Sequence, residues 1–257
     1  MNRIDKLFKE KQQNILSIYF TAGHPAANSP VEIITELQHN GVDLIEIGMP
    51  FSDPLADGPV IQKSSQVALN NGMSIRKLLS QLKDIRKTIH IPLILFGYLN
   101  PVFQYGFEKF CKDASEIGID GLILPDLPQK EFDEHYKEIV EKFNLKFIFL
   151  ISPETSNERV ILLDNLGTGF NYIVSSSSTT GAKDKIVEKQ KSYFERINSL
   201  NLKLPKLIGF GMSNNESYVN ACKQANGVII GSAFVNAIDK TNDLKTTIKD
   251  FIKMIRG

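Results

Sequence analysis

Short runs of apolar, β-branched and aromatic residues alternate along the whole chain with stretches whose apolar residues recur every three or four positions. The short runs are Ile15–Ala22, Leu44–Met49, Pro92–Tyr98, Gly121–Asp126, Lys146–Ser152, Tyr172–Ser177, Lys206–Gly211 and Gly227–Ser232. Most are continuously apolar, the pattern of strands in a parallel sheet buried on both faces. Val31–Asn40 places Ile33, Ile34 and Leu37 on one helical face, and Ile75–Thr88 does the same with Leu78, Leu79, Leu82 and Ile85. Phe107–Ile117, Glu131–Phe143 and Asn242–Arg256 are further helical stretches. Strands each followed by a helix predict an α/β chain closed into a (β/α)8 barrel, with an open doubly wound sheet as the alternative. Ile4, Leu7 and Phe8 within Met1–Asn14 predict an extra amphipathic helix at the N-terminus. No linker rich in Pro, Gly or Ser divides the chain, so residues 1–257 are expected to form a single domain.

The 257 residues match the roughly 250 typical of such a barrel, enough to bury a core without disulfide or metal support. A formal charge of +1 with no long run of one sign argues against nucleic acid or an anionic membrane as the main partner. The N-terminus is too charged for a secretory signal, and no apolar run approaches the roughly 20 residues that span a bilayer. Cys111 and Cys222 lie far apart in predicted helices, where buried reduced thiols are expected. These features predict a soluble cytoplasmic protein without a metal site. His24, His39, His90 and His135 cluster with nothing and read as surface or loop residues.

In a parallel barrel the chemistry collects where strands end and the following loops begin. Glu46 interrupts the apolar run Leu44–Gly48. It is either paired with a lysine on the outer strand face, or buried as a general acid/base whose pKa rises toward neutrality. The loop 50–59 that follows holds three prolines with Asp53 and Asp57. The prolines can fix a carboxylate in place, although each aspartate also suits a turn or a helix N-cap. Gly209 and Gly211 end the seventh run and Gly231 and Ser232 the eighth, where barrels often hold phosphate on backbone N–H groups. Ser213 to Glu216 fits a capping box beside the first of these sites. The serines 175–178 read as the start of a mobile loop.

Together these segments resemble the tryptophan synthase α subunit family. The stretch from Glu46 to Pro59 (Glu-Ile-Gly-Met-Pro-Phe-Ser-Asp-Pro-Leu-Ala-Asp-Gly-Pro) is very similar to that family's signature. Residues 19–25, 98–101 and 125–128, Thr180-Gly181 and the two glycine sites add to it in order along the chain. The resemblance implies a (β/α)8 barrel with an N-terminal helix, and a retro-aldol cleavage of indole-3-glycerol phosphate to indole and glyceraldehyde 3-phosphate without a cofactor. It implies that Glu46 moves protons at indole C3 and the side-chain hydroxyl, while Asp57 accepts the indole N–H. It places the indole among Tyr19, Phe96, Tyr98, Ile123, Ile151, Tyr172 and Phe210, and the phosphate on Gly181, Gly211, Gly231 and Ser232. Thr180 resembles the lid residue that meets the aspartate. Asp53, Asn100 and Pro101 resemble the face that docks a β subunit, in an α2β2 heterotetramer whose pyridoxal phosphate (PLP) belongs to the β partner alone. The chain departs from the family's Ser-Arg-x-Gly-Val-Thr-Gly pattern at residues 175–181, which carry no arginine. That departure bears on lid closure and signalling to the partner, not on the acids. A stand-alone lyase, a non-catalytic activator of a β subunit and another phosphate-binding barrel are the rival readings. The last two fit poorly with an intact acid pair.

Overall fold

The structure is a computed structural model that describes residues 1–175, 183–209, 211 and 213–257, without the side chains of 183–189. Its strands are β1 (Ile15–Thr21), β2 (Leu44–Gly48), β3 (Leu93–Phe96), β4 (Gly121–Ile123), β5 (Lys146–Phe147), β6 (Leu150–Ile151), β7 (Asn171–Val174), β8 (Lys206–Gly209) and β9 (Gly227–Ile230). Each predicted run contains one of them, except that β7 begins one residue before Tyr172–Ser177 and Lys146–Ser152 holds both β5 and β6. All the pairings are parallel, in the order β5-β4-β3-β2-β1-β9-β8-β7-β6. β5 and β6 belong to one stretch of chain, and Tyr172 N–H donates to Phe149 O between them at 3.2 Å. The two ends of the list therefore meet, and the sheet closes as a (β/α)8 barrel without an open edge.

Alternation along each strand sorts the core into two clusters. Leu16, Ile18, Phe20, Ile45 and Ile47 pack outward against helix residues such as Ile33, Leu37, Leu78 and Phe234. Ile15, Tyr19, Leu44, Ile94, Phe96, Ile123, Ile148, Tyr172, Leu207 and Ile229 pack inward. The N-terminal helix, Arg3–Glu10, is shorter than the expected Met1–Asn14, and its fully buried Ile4 joins the inner cluster from below. Asn2 caps this helix and also donates to Asp120 O and Asn144 O, fixing it beneath the barrel.

Tertiary bonds override local pattern in two places. The helix expected over Ile75–Thr88 stops at Leu82, and only a 3-10 turn, Ile85–Lys87, follows. Arg86 is drawn inward there, donating to Gly118 O, Ile89 O, Ile91 O and Asp120. The capping box lies one residue beyond the expected place. Asn214 Oδ1 accepts from Ser217 N–H at 2.9 Å, and the helix Asn215–Cys222 begins there. Cys111 and Cys222 are buried and unbridged.

Three aspartates near the N-terminal ends of the strands knit the barrel floor. Asp120 accepts from Arg3, Arg86 and Leu93 N–H. Asp43 accepts from Lys11, Arg256 and Leu16 N–H. Asp164 accepts from Asn171 and from the N–H groups of Lys203 and Leu204.

Candidate active site

Glu46 takes the middle position of β2, and the alternation set by Leu44 turns its carboxyl into the barrel. It is fully buried. Ser17 Oγ–H donates to Glu46 Oε1 at 3.0 Å, while Oε2 has no hydrogen-bond partner. Its carboxyl faces the barrel interior and no lysine among the described residues pairs with it, so the outer-face reading of this residue fails. Burial pushes its pKa up to about 8 against the opposing pull of the Ser17 bond, because an ionised carboxylate is poorly solvated there.

Asp57 stands just before the helix Pro59–Asn70, whose N-cap is Gly58 and whose first residue is a proline. Tyr98 O–H, from the end of the β3 run, donates to Asp57 Oδ2 at 2.8 Å. The same hydroxyl accepts from Ala56 N–H at 3.1 Å, so it pins both the loop and its acid. Partial burial raises the Asp57 pKa and the Tyr98 bond lowers it, with a net rise. Asp53, by contrast, is exposed, and its carboxylate accepts from its neighbour Ser52 while its backbone carbonyl accepts from Leu55 N–H.

A cavity of about 290 Å³ has Asp57 in its wall; Glu46 is not a wall residue, but its register partner Tyr19 is. Tyr19, Phe96 and Tyr172 line its aromatic side, Asp57 and Ile61 one flank, and Gly211, Ser213, Gly231, Ser232, Ala233 and Asn236 the other. The Tyr19 and Phe96 rings meet edge to face at 5.5 Å, and Phe96 and Tyr172 at 6.3 Å. Two glycines make room for the tyrosines. A Cβ on Gly48 would overlap the Tyr19 hydroxyl, and one on Gly209 would overlap the Tyr172 ring. Burial, reinforced by the nearby acids, holds both hydroxyls far above the ordinary tyrosine pKa, so they stay neutral.

The short helix Ser232–Ile238 begins at Gly231, with its first turn at the cavity wall. The N–H groups of a helix's first turn lack acceptors inside the helix. Gly211 faces them with φ +75, a backbone conformation open mainly to glycine.

The structure thus gathers Tyr19, Phe96, Tyr172, Asp57, Gly211, Gly231 and Ser232 around one space. Ile123 belongs to the inner cluster but not to the cavity wall. Ile151, expected beside the indole, packs instead with the outer cluster, and Leu150 takes the inward position on that strand. Phe210, Thr180 and Gly181 lie outside the described residues. Ser17, Ile61, Ile229 and Asn236 were not singled out from the sequence. Of these only Ser17 carried a signal, a hydroxyl two positions before Tyr19 in an apolar run. His24 lies in the loop after β1, as a loop reading expects, but it is 1% exposed, with Nε2 2.8 Å from Asp239 Oδ1.

A second groove, about 350 Å³, runs outside the mouth past Pro50, Phe51, Pro101 and Tyr105. Near it Leu55 is 88% exposed and Phe103 60%. Asn100 is exposed and Pro101 half-buried on the same face.

Comparison with known proteins places this geometry. The family described as "Tryptophan synthase alpha chain" matches residues 6–256. The tryptophan synthase alpha chain of Flavobacterium johnsoniae is 53% identical over 256 residues, covering 100% of both chains. That of Parabacteroides distasonis is 51% identical over 93% of each. Among solved structures, tryptophan synthase subunit alpha from Legionella pneumophila superposes with a TM-score of 0.89 at 34% identity, covering 100% of this chain and 97% of that one. The tryptophan synthase A-subunit from Pyrococcus furiosus gives 0.87 at 33% identity, covering 95% and 98%. With the family matched almost end to end and relatives this similar over their full length, the chain belongs to the tryptophan synthase alpha chain family.

Proposed function

We propose that Glu46 and Asp57 are the acid–base pair with which this chain cleaves indole-3-glycerol phosphate to indole and glyceraldehyde 3-phosphate. The observation that carries the reading is the fully buried Glu46 carboxyl, raised to about 8, beside Tyr19, which walls an aromatic cavity with a helix N-terminus across it. A carboxyl with this pKa is neutral at pH 7 and can donate a proton. Protonating indole C3 makes the ring cationic, and Asp57, as a carboxylate, accepts the N–H and stabilises that charge. Glu46, now ionised, takes the proton of the hydroxyl on the carbon bonded to C3. The C–C bond breaks, its electrons restore the indole double bond, and the aldehyde forms. Glu46 ends protonated, so the cycle closes without an external acid or base.

Tyr19, Phe96 and Tyr172 supply the apolar walls for the ring, with Tyr98 holding Asp57 and Ile123 packed within the barrel interior. Gly211, Gly231 and Ser232 receive the phosphate on backbone N–H groups, with Gly181 as a further donor and Thr180 as the lid residue. The route draws only on groups of this chain and needs no cofactor. The chain works in the cytoplasm as one domain, consistent with pairing of its first and last strands. The exposed Leu55 and Phe103, with Asp53, Asn100 and Pro101, form the face that docks a β subunit in an α2β2 assembly. The PLP of that assembly belongs to the β subunit, which converts indole to tryptophan.

The test is turnover of indole-3-glycerol phosphate by the purified chain, alone and with its β subunit. Slow cleavage that rises strongly with β is the expected result. Fast cleavage indifferent to β would make it a stand-alone lyase, and no cleavage in either case would overturn the reading.

A further inference from the structure

Ser17 takes no part in the scheme above, yet it touches the group at the centre of it. It is fully buried on β1, opposite Leu44 in register and two positions below Tyr19 on the inner face. A buried hydroxyl among apolar neighbours is unfavourable unless bonded, and this one donates to Glu46 Oε1. The two oxygens of Glu46 are therefore unequal: Oε1 is held, and Oε2 is buried without a partner. The floor aspartates show what a purely structural buried carboxylate looks like in this chain, with several donors each. Leaving one oxygen unbonded is unfavourable by about 1–3 kcal/mol, so Oε2 is not arranged for stability.

We propose that Ser17 is a positioning residue that tethers Glu46 through Oε1, leaving Oε2 as the oxygen that exchanges both protons with the substrate. This inference rests on Glu46 being the acid–base group. A hydroxyl suits the task because it donates to Oε1 both when Glu46 is a carboxylate and when Oε1 is the carbonyl oxygen of an acid protonated on Oε2. The tether therefore survives the change of protonation state that the cycle demands. One oxygen is enough for the substrate, because C3 and the hydroxyl oxygen are separated by two bonds. Glu46 Oε2 first gives its proton to C3 and then takes the hydroxyl proton, with no swing of the side chain between steps.

Tyr19 on β1 and Tyr172 on β7 feel the charge of Glu46, and both also feel that of Asp57 in the loop after β2, which Tyr98 after β3 holds. The register partner of Glu46 on β3, Ile94, is apolar. Tyr19, Tyr98 and Tyr172 are neutral or, like Asp57, negative, so none of these favours the ionised Glu46. The Ser17 bond does, and its loss moves the Glu46 pKa further up.

The experiment compares Ser17→Ala, Ser17→Thr and Glu46→Gln by kcat, the pH profile of kcat/KM and thermal melting. Ser17→Ala is expected to lower kcat roughly 10- to 100-fold, the worth of a hydrogen bond to a charged group. Its alkaline limb is expected to move to higher pH, and Ser17→Thr, which keeps the hydroxyl, to restore both. A lower melting temperature in Ser17→Ala with kcat and the limb unchanged would reduce Ser17 to packing and overturn the tether. Should the alanine variant not fold, Ser17→Cys replaces it, and a wild-type limb with that weak donor would overturn the tether equally. Activity retained by Glu46→Gln would sink the acid–base reading itself. An inactive Glu46→Gln beside a wild-type Ser17→Ala would sink the tether alone.

Discussion

The floor and the mouth of this barrel treat buried carboxylates in opposite ways. At the floor, Asp120 sits between Arg3 and Arg86, Asp43 between Lys11 and Arg256, and each also accepts a backbone N–H. At the mouth, Glu46 has one neutral donor and Asp57 one tyrosine, and among the described residues no cation pairs with either. The pKa values follow the partners. Burial pulls Arg86 down to about 10 while Asp120 pulls it back up, so it stays cationic at neutral pH. Burial carries Glu46 up to about 8, across neutrality, where a small change in surroundings changes its charge. The same chemical group is a fastener where donors surround it and, in the proposed mechanism, a proton carrier where they are withheld.

The largest expected effect is at the mouth. Glu46→Gln should lower the cleavage rate by at least the 10²–10⁴-fold worth of acid–base catalysis, while stabilising the protein. Between about pH 4.5 and 8 the unfolded chain has lost the Glu46 proton that the folded chain keeps, so stability falls as pH rises through that window. The glutamine variant lacks this decline, and melting curves at pH 5 and pH 8.5 should show a gain only at the higher pH. A variant that is both inactive and less stable at pH 8.5 would break the contrast. The floor is expected to answer in reverse. Asp120→Asn removes a charge paired with two arginines and should destabilise by about 3–5 kcal/mol, read by urea unfolding, with little change in kcat.

The smallest effect is in the pH profile. The proposed mechanism requires Glu46 protonated and Asp57 ionised, so kcat/KM should fall as pH rises through about 8 and again on the acid side. Tyr98→Phe removes the bond that lowers the Asp57 pKa, so the acid limb should move to higher pH while the alkaline limb stays. An alkaline limb that moved with it would mean that the two acids titrate as a unit.

How much of this was legible in the sequence depended on how local each cause was. The strands were legible because a parallel strand covered on both faces must be apolar throughout. Glu46 was legible because a charge in such a run has few places to go. Asp57 was separable from Asp53 by the family resemblance but not by pattern, since both aspartates suit turns. What separates them is Tyr98, a partner 41 positions along the chain from Asp57. Ile151 illustrates the opposite failure. In the interrupted strand β5–β6 a difference of one residue exchanges the inner and outer faces, and only the register decides which side chain reaches the barrel interior. The burial of His24 within its loop was not legible because its partner, Asp239, lies 215 positions away.

The pairing of β1 with β9 makes the barrel a ring whose clasp joins the earliest strand to the latest. During synthesis from the N-terminus, Ile15–Ile18 can pair with β2 on one side, but their other side has no neighbour until Gly227–Ile230 has left the ribosome. For most of translation this apolar strand therefore presents an unpaired edge, the kind of surface that invites misassociation. The chain carries its greatest aggregation hazard before release, and a slowed or truncated synthesis ending ahead of residue 227 would leave that hazard permanent.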